Sequence, residues 1–243
     1  MKTAVVTGTS YGLGKTIAEM FLSEGFKVYG ISRTKSEFQN KNFVWIKADL
    51  LGEKSFELIN SSISEDKIDL LVNNAGVVFA EKSLEFKTET FDNTFGINLI
   101  APVKLTKILK YKLQSGMVAN ISSTSDRFLD EGTALYSASK SALEVYFDGV
   151  ALENKDIKII NILPAYVDTP MLRTIAGKLK FSLADATNPN DVASAIGEIL
   201  LNHQELESGS RVITTSNKSY LKRFDSEKLY YYNVNTKEFK KLK

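Results

Sequence analysis

The sequence of 243 residues predicts an α/β protein, a single domain on a doubly wound parallel sheet. Three observations carry this. Short apolar, β-branched runs alternate with segments of 3.6-residue apolar period along most of the chain. A glycine-rich turn, Gly8-Thr9-Ser10-Tyr11-Gly12-Leu13-Gly14, stands between the first such run and the first helical segment. Finally, Tyr136-Ser137-Ala138-Ser139-Lys140 opens a helical stretch whose Ala142, Leu143, Val145, Tyr146 and Val150 return to one side.

Residues 3–7 read as a buried strand. The glycine turn follows, and then Ile17, Ala18, Met20, Phe21 and Leu22 give a helical stripe stopped by Gly25. Strand, glycine turn and helix in this order are the context that gives a glycine-rich motif meaning. There the glycines let backbone N–H groups approach a pyrophosphate at the helix N-terminus. Residues 27–32 are its second strand. In dinucleotide folds the ribose-reading residue stands at this strand's end; here Ser32 and Arg33 occupy it, a cation without an acid. Such a site suits a 2′-phosphate and favours NADP(H), with NAD(H) as the other option. A plain surface arginine would look the same.

Residues 43–48 make the third strand, ending at Asp49, and 53–63 a helix. Residues 68–72 make the fourth strand, ending in Asn73-Asn74-Ala75-Gly76. That cluster suits turn chemistry, but strand C-terminal ends are also where ligands sit in such sheets. One long helix is expected over 88–113, with a kink or an interrupted hydrogen bond at Pro102. Asn98 lies one turn before the proline, either exposed or in a local role. Residues 117–121 form the fifth strand, leading to Ser122-Ser123. Residues 157–163 form the sixth, leading to the segment Pro164–Met171. Residues 171–188 are a less periodic connection, 189–201 a helix, and 211–215 a seventh strand. Residues 228–234 and 237–242 form a hairpin around Asn235-Thr236 with Tyr230, Tyr231 and Tyr232 packed as an edge arm.

On the helix opened by Tyr136, Lys140 is the neighbour one turn on. A fixed ammonium favours the phenolate and draws the tyrosine below its usual ~10, so the phenol can act as a general acid or base. Taken alone, the spacing equally describes a packed ring beside a solvated amine. The absence of cysteine excludes thiolate chemistry, and a single histidine, His203, argues against a Ser-His-Asp triad or a histidine metal site. No metal is expected. With no apolar run of about 18 residues and no signal-peptide pattern, neither a membrane span nor export is expected, and the location read from the sequence is cytoplasmic. Residues 218–243 hold eight Lys or Arg and three acids, yet a solvated edge accounts for this charge without nucleic acid.

Several motifs coincide in order: Thr7-Gly8-x-x-x-Gly12-x-Gly14, Asn73-Asn74-Ala75-Gly76, Asn98, Ser123, Tyr136-x-x-x-Lys140 and Pro164–Met171. Over residues 3–215 the chain resembles the short-chain dehydrogenase/reductase family. The resemblance implies that Tyr136 exchanges a proton with the carbonyl or alcohol oxygen. Lys140 would lower its pKa and hold the nicotinamide ribose. Ser123, thirteen residues before the tyrosine, would position the substrate oxygen, and Asn98 would hold a water linking Lys140 to solvent. It also implies that Gly8, Ser10, Gly12, Leu13 and Gly14 surround the phosphates. Asp49 would reach the adenine, Asn74 would lie on the adenosine side, and Val167 and Thr169 would contact the nicotinamide amide.

Two positions depart from the family pattern: Ala165 replaces the glycine after Pro164, and Tyr11 replaces a second basic residue. The basic, tyrosine-rich extension 216–243, expected to pack on the domain 1–215, leaves both a homodimer and a homotetramer open. The predicted function is NADP(H)-dependent oxidoreduction of a ketone or aldehyde and its alcohol. The competitor is a non-catalytic NADP-binding redox sensor on the same fold. Leu172, Leu179, Phe181 and Leu183 would make 171–188 an apolar lid, with Phe79, Phe128 and Tyr166 in the same cleft.

Overall fold

The computed structural model describes residues 1–126, 129–178, 182–203, 205–215 and 229–241. One sheet of nine strands runs in the order β3-β2-β1-β4-β5-β6-β7-β8-β9. The strands are β1 (Thr3–Thr7), β2 (Lys27–Ser32), β3 (Phe43–Lys47), β4 (Leu70–Asn73), β5 (Met117–Ile121), β6 (Lys158–Pro164), β7 (Ser210–Thr214), β8 (Leu229–Tyr232) and β9 (Phe239–Lys241). All neighbours pair in parallel except β8 and β9. Strands buried on both faces need continuous apolar runs, and β1 is buried at all five positions.

Helices cover both faces. Helix α1 (Gly12–Ser23) and helix α7 (Pro189–Asn202) pack on one face, where Ile17, Phe21, Ile196 and Ile199 join Val6, Val72 and Val212. On the other face lie α2 (Glu53–Ser62), α4 (Ala101–Leu109) and α5 (Ala134–Glu153), and Phe56, Leu105, Leu143 and Phe147 meet Val5, Leu71 and Ile159.

One expectation is refined and two are corrected. The helix expected over 88–113 is α3 (Thr88–Phe95), a π-helical turn Gly96–Ile100, and then α4, with Pro102 in the first turn of α4. On α5 the buried stripe is Lys140, Leu143, Glu144, Phe147 and Ala151, whereas Val145 and Tyr146 are exposed. The stripe was misjudged because two charged residues lie within it. The three tyrosines are not on an edge: β8 is inserted between β7 and β9, and Tyr230, Tyr231 and Tyr232 are buried.

One polar row crosses the sheet. Asn73, Asn120 and Asn161 stand opposite one another on β4, β5 and β6, and Arg211 of β7 stands opposite Asn161. The Asn73 amide donates to Asn120 Oδ1, and the Asn120 amide donates to Asn161 Oδ1, both at 2.9 Å.

Candidate active site

The strand order reverses between β1 and β4, which opens a crevice at the C-terminal strand ends. A cleft of about 420 Å³ occupies it. At its floor, Gly8 and Gly12 have φ of +77° and +63°, a left-handed backbone that favours glycine. A side chain at Gly14 would overlap the Asn74 amide and the Gly8 carbonyl, so helix α1 approaches the strand only with glycine there. Asn74 braces this loop: its Nδ2 donates to the Thr7 carbonyl at 2.9 Å, and Thr7 Oγ1 accepts from the Asn74 and Ala75 amides at 3.0 and 2.9 Å. Gly8, Ser10, Gly12, Leu13 and Gly14 all line the cleft.

Arg33 and Asp49 line the same cleft and are exposed. Ser32 is occupied locally, donating to the Thr34 carbonyl at 2.7 Å and accepting from Trp45 Nε1 at 3.1 Å. Asp49 Oδ1 accepts from the Leu51 amide at 3.1 Å.

Tyr136 and Lys140 enter from the first turns of α5, and Ser123 from the end of β5. Burial raises the Tyr136 phenol pKa above its ordinary value, and its hydrogen bond with Ser123 pulls the other way. The expected depression by Lys140 is therefore absent in this arrangement. Lys140 Nζ donates to the Ile121 carbonyl at 2.7 Å and lies 5.8 Å from the centre of the Tyr136 ring. Burial depresses Lys140 itself to about 8, with Glu144 opposing. Of the two serines, Ser123 lies beside the phenol, while Ser122 is buried and donates to Glu144 Oε1 at 2.5 Å.

Asn98 sits inside the π-helical turn and is fully buried. Its Oδ1 accepts from the Val77 amide at 2.8 Å, and its Nδ2 donates to the Val77 carbonyl and to Ser139 Oγ, both at 2.9 Å. A side chain at Gly76 would lie 3.3 Å from Asn98 Oδ1 and 3.6 Å from Lys140 Nζ, so glycine there keeps the two close. Ser139 was not singled out in the sequence, although it lies inside the Tyr-x-x-x-Lys stretch.

The opposite wall follows β6. Val167 bridges to Thr187, and Thr169 caps the short helix α6 (Pro170–Ile175) by accepting from the Leu172 amide at 3.3 Å. Phe79, Ile97, Met171, Leu172 and Ile175 make this part of the cleft apolar. Tyr166 Oη donates to Asp130 Oδ2 at 2.5 Å across it, a pair with no sequence signal because 36 residues separate the two. Leu183 is exposed; Phe128, Leu179 and Phe181 lie outside the described residues. No cluster that could hold a metal ion occurs among the described residues.

A glycine-floored crevice beside a serine, a tyrosine and a lysine defines a dinucleotide-dependent oxidoreductase fold. The chain belongs to the short-chain dehydrogenase family: the family model described as short chain dehydrogenase matches residues 2–180. Its class of chemistry is the NAD(P)-dependent interconversion of CH–OH and C=O groups. It is similar to a benzil reductase ((S)-benzoin forming) of Bacillus subtilis, 31% identical over 74% of this chain and 80% of that relative. The 3-ketoacyl-(acyl-carrier-protein) reductase of Brucella melitensis complexed with NADH superposes with a TM-score of 0.79 over 87% of this chain and 96% of that one. At 22% identity it supports the fold. ElxO with NADP bound gives 0.77 at 25% identity, over 87% and 96%.

Proposed function

We propose that this protein is an NADP(H)-dependent reductase of apolar ketones or aldehydes, with the alcohol oxidation as its reverse. The observation that carries the reading is Ser123 and Tyr136 lining one cleft beside buried Lys140, next to its apolar wall. The residues present fit the cofactor: Gly8, Gly12 and Gly14 line the cleft without side chains, which lets phosphates approach the backbone at the start of α1, and Arg33 stands exposed with no acid at the ribose position. When bound, the nicotinamide supplies or accepts the hydride. Ser123 and Tyr136 hold the substrate oxygen, and as the C=O π bond breaks the phenol gives its proton to that oxygen, forming the alcohol O–H bond. Lys140 offsets the charge left on the phenolate and holds the ribose hydroxyls. Asn98 supports the route by which the proton is replaced. Asp49 and Asn74 serve the adenosine end, and Val167 and Thr169 serve the nicotinamide amide.

The apolar wall and the similarity to benzil reductase support a bulky ketone as substrate. A cytoplasmic location fits a protein without cysteine whose described helices are too short or too polar to cross a membrane. The test is NADPH and NADH oxidation over a panel of aryl and alkyl carbonyls, for wild type, Tyr136→Phe and Arg33→Ala. Tyr136→Phe should lose about a thousandfold in kcat with NADPH binding kept. Arg33→Ala should raise the KM for NADPH about tenfold and leave NADH little changed. Binding of NADPH without turnover of any carbonyl would favour the sensor reading.

We also propose a homodimer through the outer face of α5, where Val145 and Leu152 are 67% and 72% exposed and Gly149 leaves open space. Light scattering should give twice the chain mass, and Val145→Glu with Leu152→Glu should give monomers. A monomeric wild type rejects it.

A further inference from the structure

Behind the cleft lies a buried ionic group that the reaction described above does not use. Glu144 stands one helical turn after Lys140 on the buried stripe of α5 and is 2% exposed. Arg211 Nε of β7 donates to Glu144 Oε2 at 2.9 Å, and Arg211 Nη2 also pairs with Asp148 of α5. On the site side, Ser122 Oγ donates to Glu144 Oε1, and Ser122 is the residue before Ser123. Among the described residues, Arg211 from β7 faces Glu144, with Lys140 one turn before it and Asp148 one turn after it on its own helix.

A buried carboxylate is retained only with partners, because the dry interior penalises an unpaired charge. Here Arg211 secures the carboxylate, and burial sets itself against the guanidinium but is outweighed by Asp148 and Glu144, which raise its pKa. The secured carboxylate in turn opposes the loss of the Lys140 proton. A leucine or valine would fill this core position with no such partners.

We infer that Glu144, held by Arg211, is a positioning residue that keeps Lys140 in its ammonium form and fixes, through Ser122, the strand end presenting Ser123. The inference rests on the reading of Lys140 and Ser123 given under the proposed function. Removing the carboxylate lowers the lysine midpoint, so the ammonium fraction at neutral pH falls and the alkaline limb of kcat/KM moves toward acid.

The test is an NMR titration of the full chain with 13Cε-labelled lysine, the Lys140 signal being the one lost in Lys140→Met. The wild-type midpoint is expected near 8. It should drop by about half a unit or more in Glu144→Gln and return toward 8 in Glu144→Asp. The alkaline limb of kcat/KM should move by the same amount. An unchanged midpoint in folded Glu144→Gln overturns the inference. If that variant fails to fold, Glu144→Gln with Arg211→Gln removes the guanidinium together with its buried carboxylate partner, so that only the part-exposed Asp148 loses its contact with Arg211; the same drop supports the inference, and no drop overturns it. If the midpoint drops while the wild type reduces no carbonyl, the positioning of Lys140 stands and the proposed function is what fails.

Discussion

Lys140 is costly to keep buried. The residue is 4% exposed, and burial brings its pKa from 10.5 to about 8. A base with a lower pKa when folded binds fewer protons than the unfolded chain between those values, so stability rises with pH from about 8 to 10.5. Below 8 the full penalty is present, on the order of 3 kcal/mol. Lys140→Met removes it and also strands the Ile121 carbonyl, which loses its donor. The variant should therefore be inactive yet more stable by about 1–2 kcal/mol at pH 7, with the gain shrinking by pH 10. Urea unfolding at both pH values measures this, and a less stable variant at pH 7 contradicts it.

At this scale the sequence was informative wherever chemistry is encoded by short spacing. Tyr136 and Lys140 are four apart, and the glycine turn is seven residues long. Lys140 turning to the Ile121 carbonyl, Asp130 meeting Tyr166 and Ser122 meeting Glu144 depend on loops and strand ends that no spacing encodes.

At the scale of elements, the π-helical turn Gly96–Ile100 is the clearest case of structure exceeding pattern. A 3.6-residue period runs through it, so residues 88–113 read as one helix. Pro102 cannot donate to the residue 98 carbonyl, and the widened turn falls where that bond is missing. The widening lets Asn98 turn inward and take both backbone groups of Val77. Asn98→Ala strands those groups and Ser139 together. A loss of about 2–3 kcal/mol is expected, with faster hydrogen exchange at the Val77 amide. Unaltered exchange at Val77 would show that the turn stands without the asparagine. Helix α5 teaches the complementary point. Its stripe was misplaced because Lys140 and Glu144 are buried in it, so a charged residue on a buried face marked the site that apolar periodicity passed over.

At the scale of the whole molecule, the alternation of strands and helices made the parallel sheet legible, and the extension is where that logic ended. The β8–β9 hairpin was expected, but its parallel pairing to β7 was not, because β8 joins through a connection that carries no apolar period. Tyr230, Tyr232 and Val234 enter the core shared with α1 and α7, and Phe239 stacks on His203 at 3.7 Å between ring centres. The outer strand is then β9, whose Lys240 and Lys241 discourage pairing with another chain. A chain ending at Thr215 should lose this cover and expose Val212 and the flank of β7, eluting as aggregates in gel filtration. A monodisperse truncation with an unchanged melting point would make the hairpin dispensable.

The row Asn73–Asn120–Asn161 has a consequence for how such a sheet assembles. A strand that docks two residues out of step keeps every side chain on its correct face, so apolar burial alone does not reject it. The amides do, because they meet only in one alignment, and a slipped strand would leave them buried without partners. The row is thus a proofreading mark written across the core: it adds little adhesion, but makes the wrong pairing come apart.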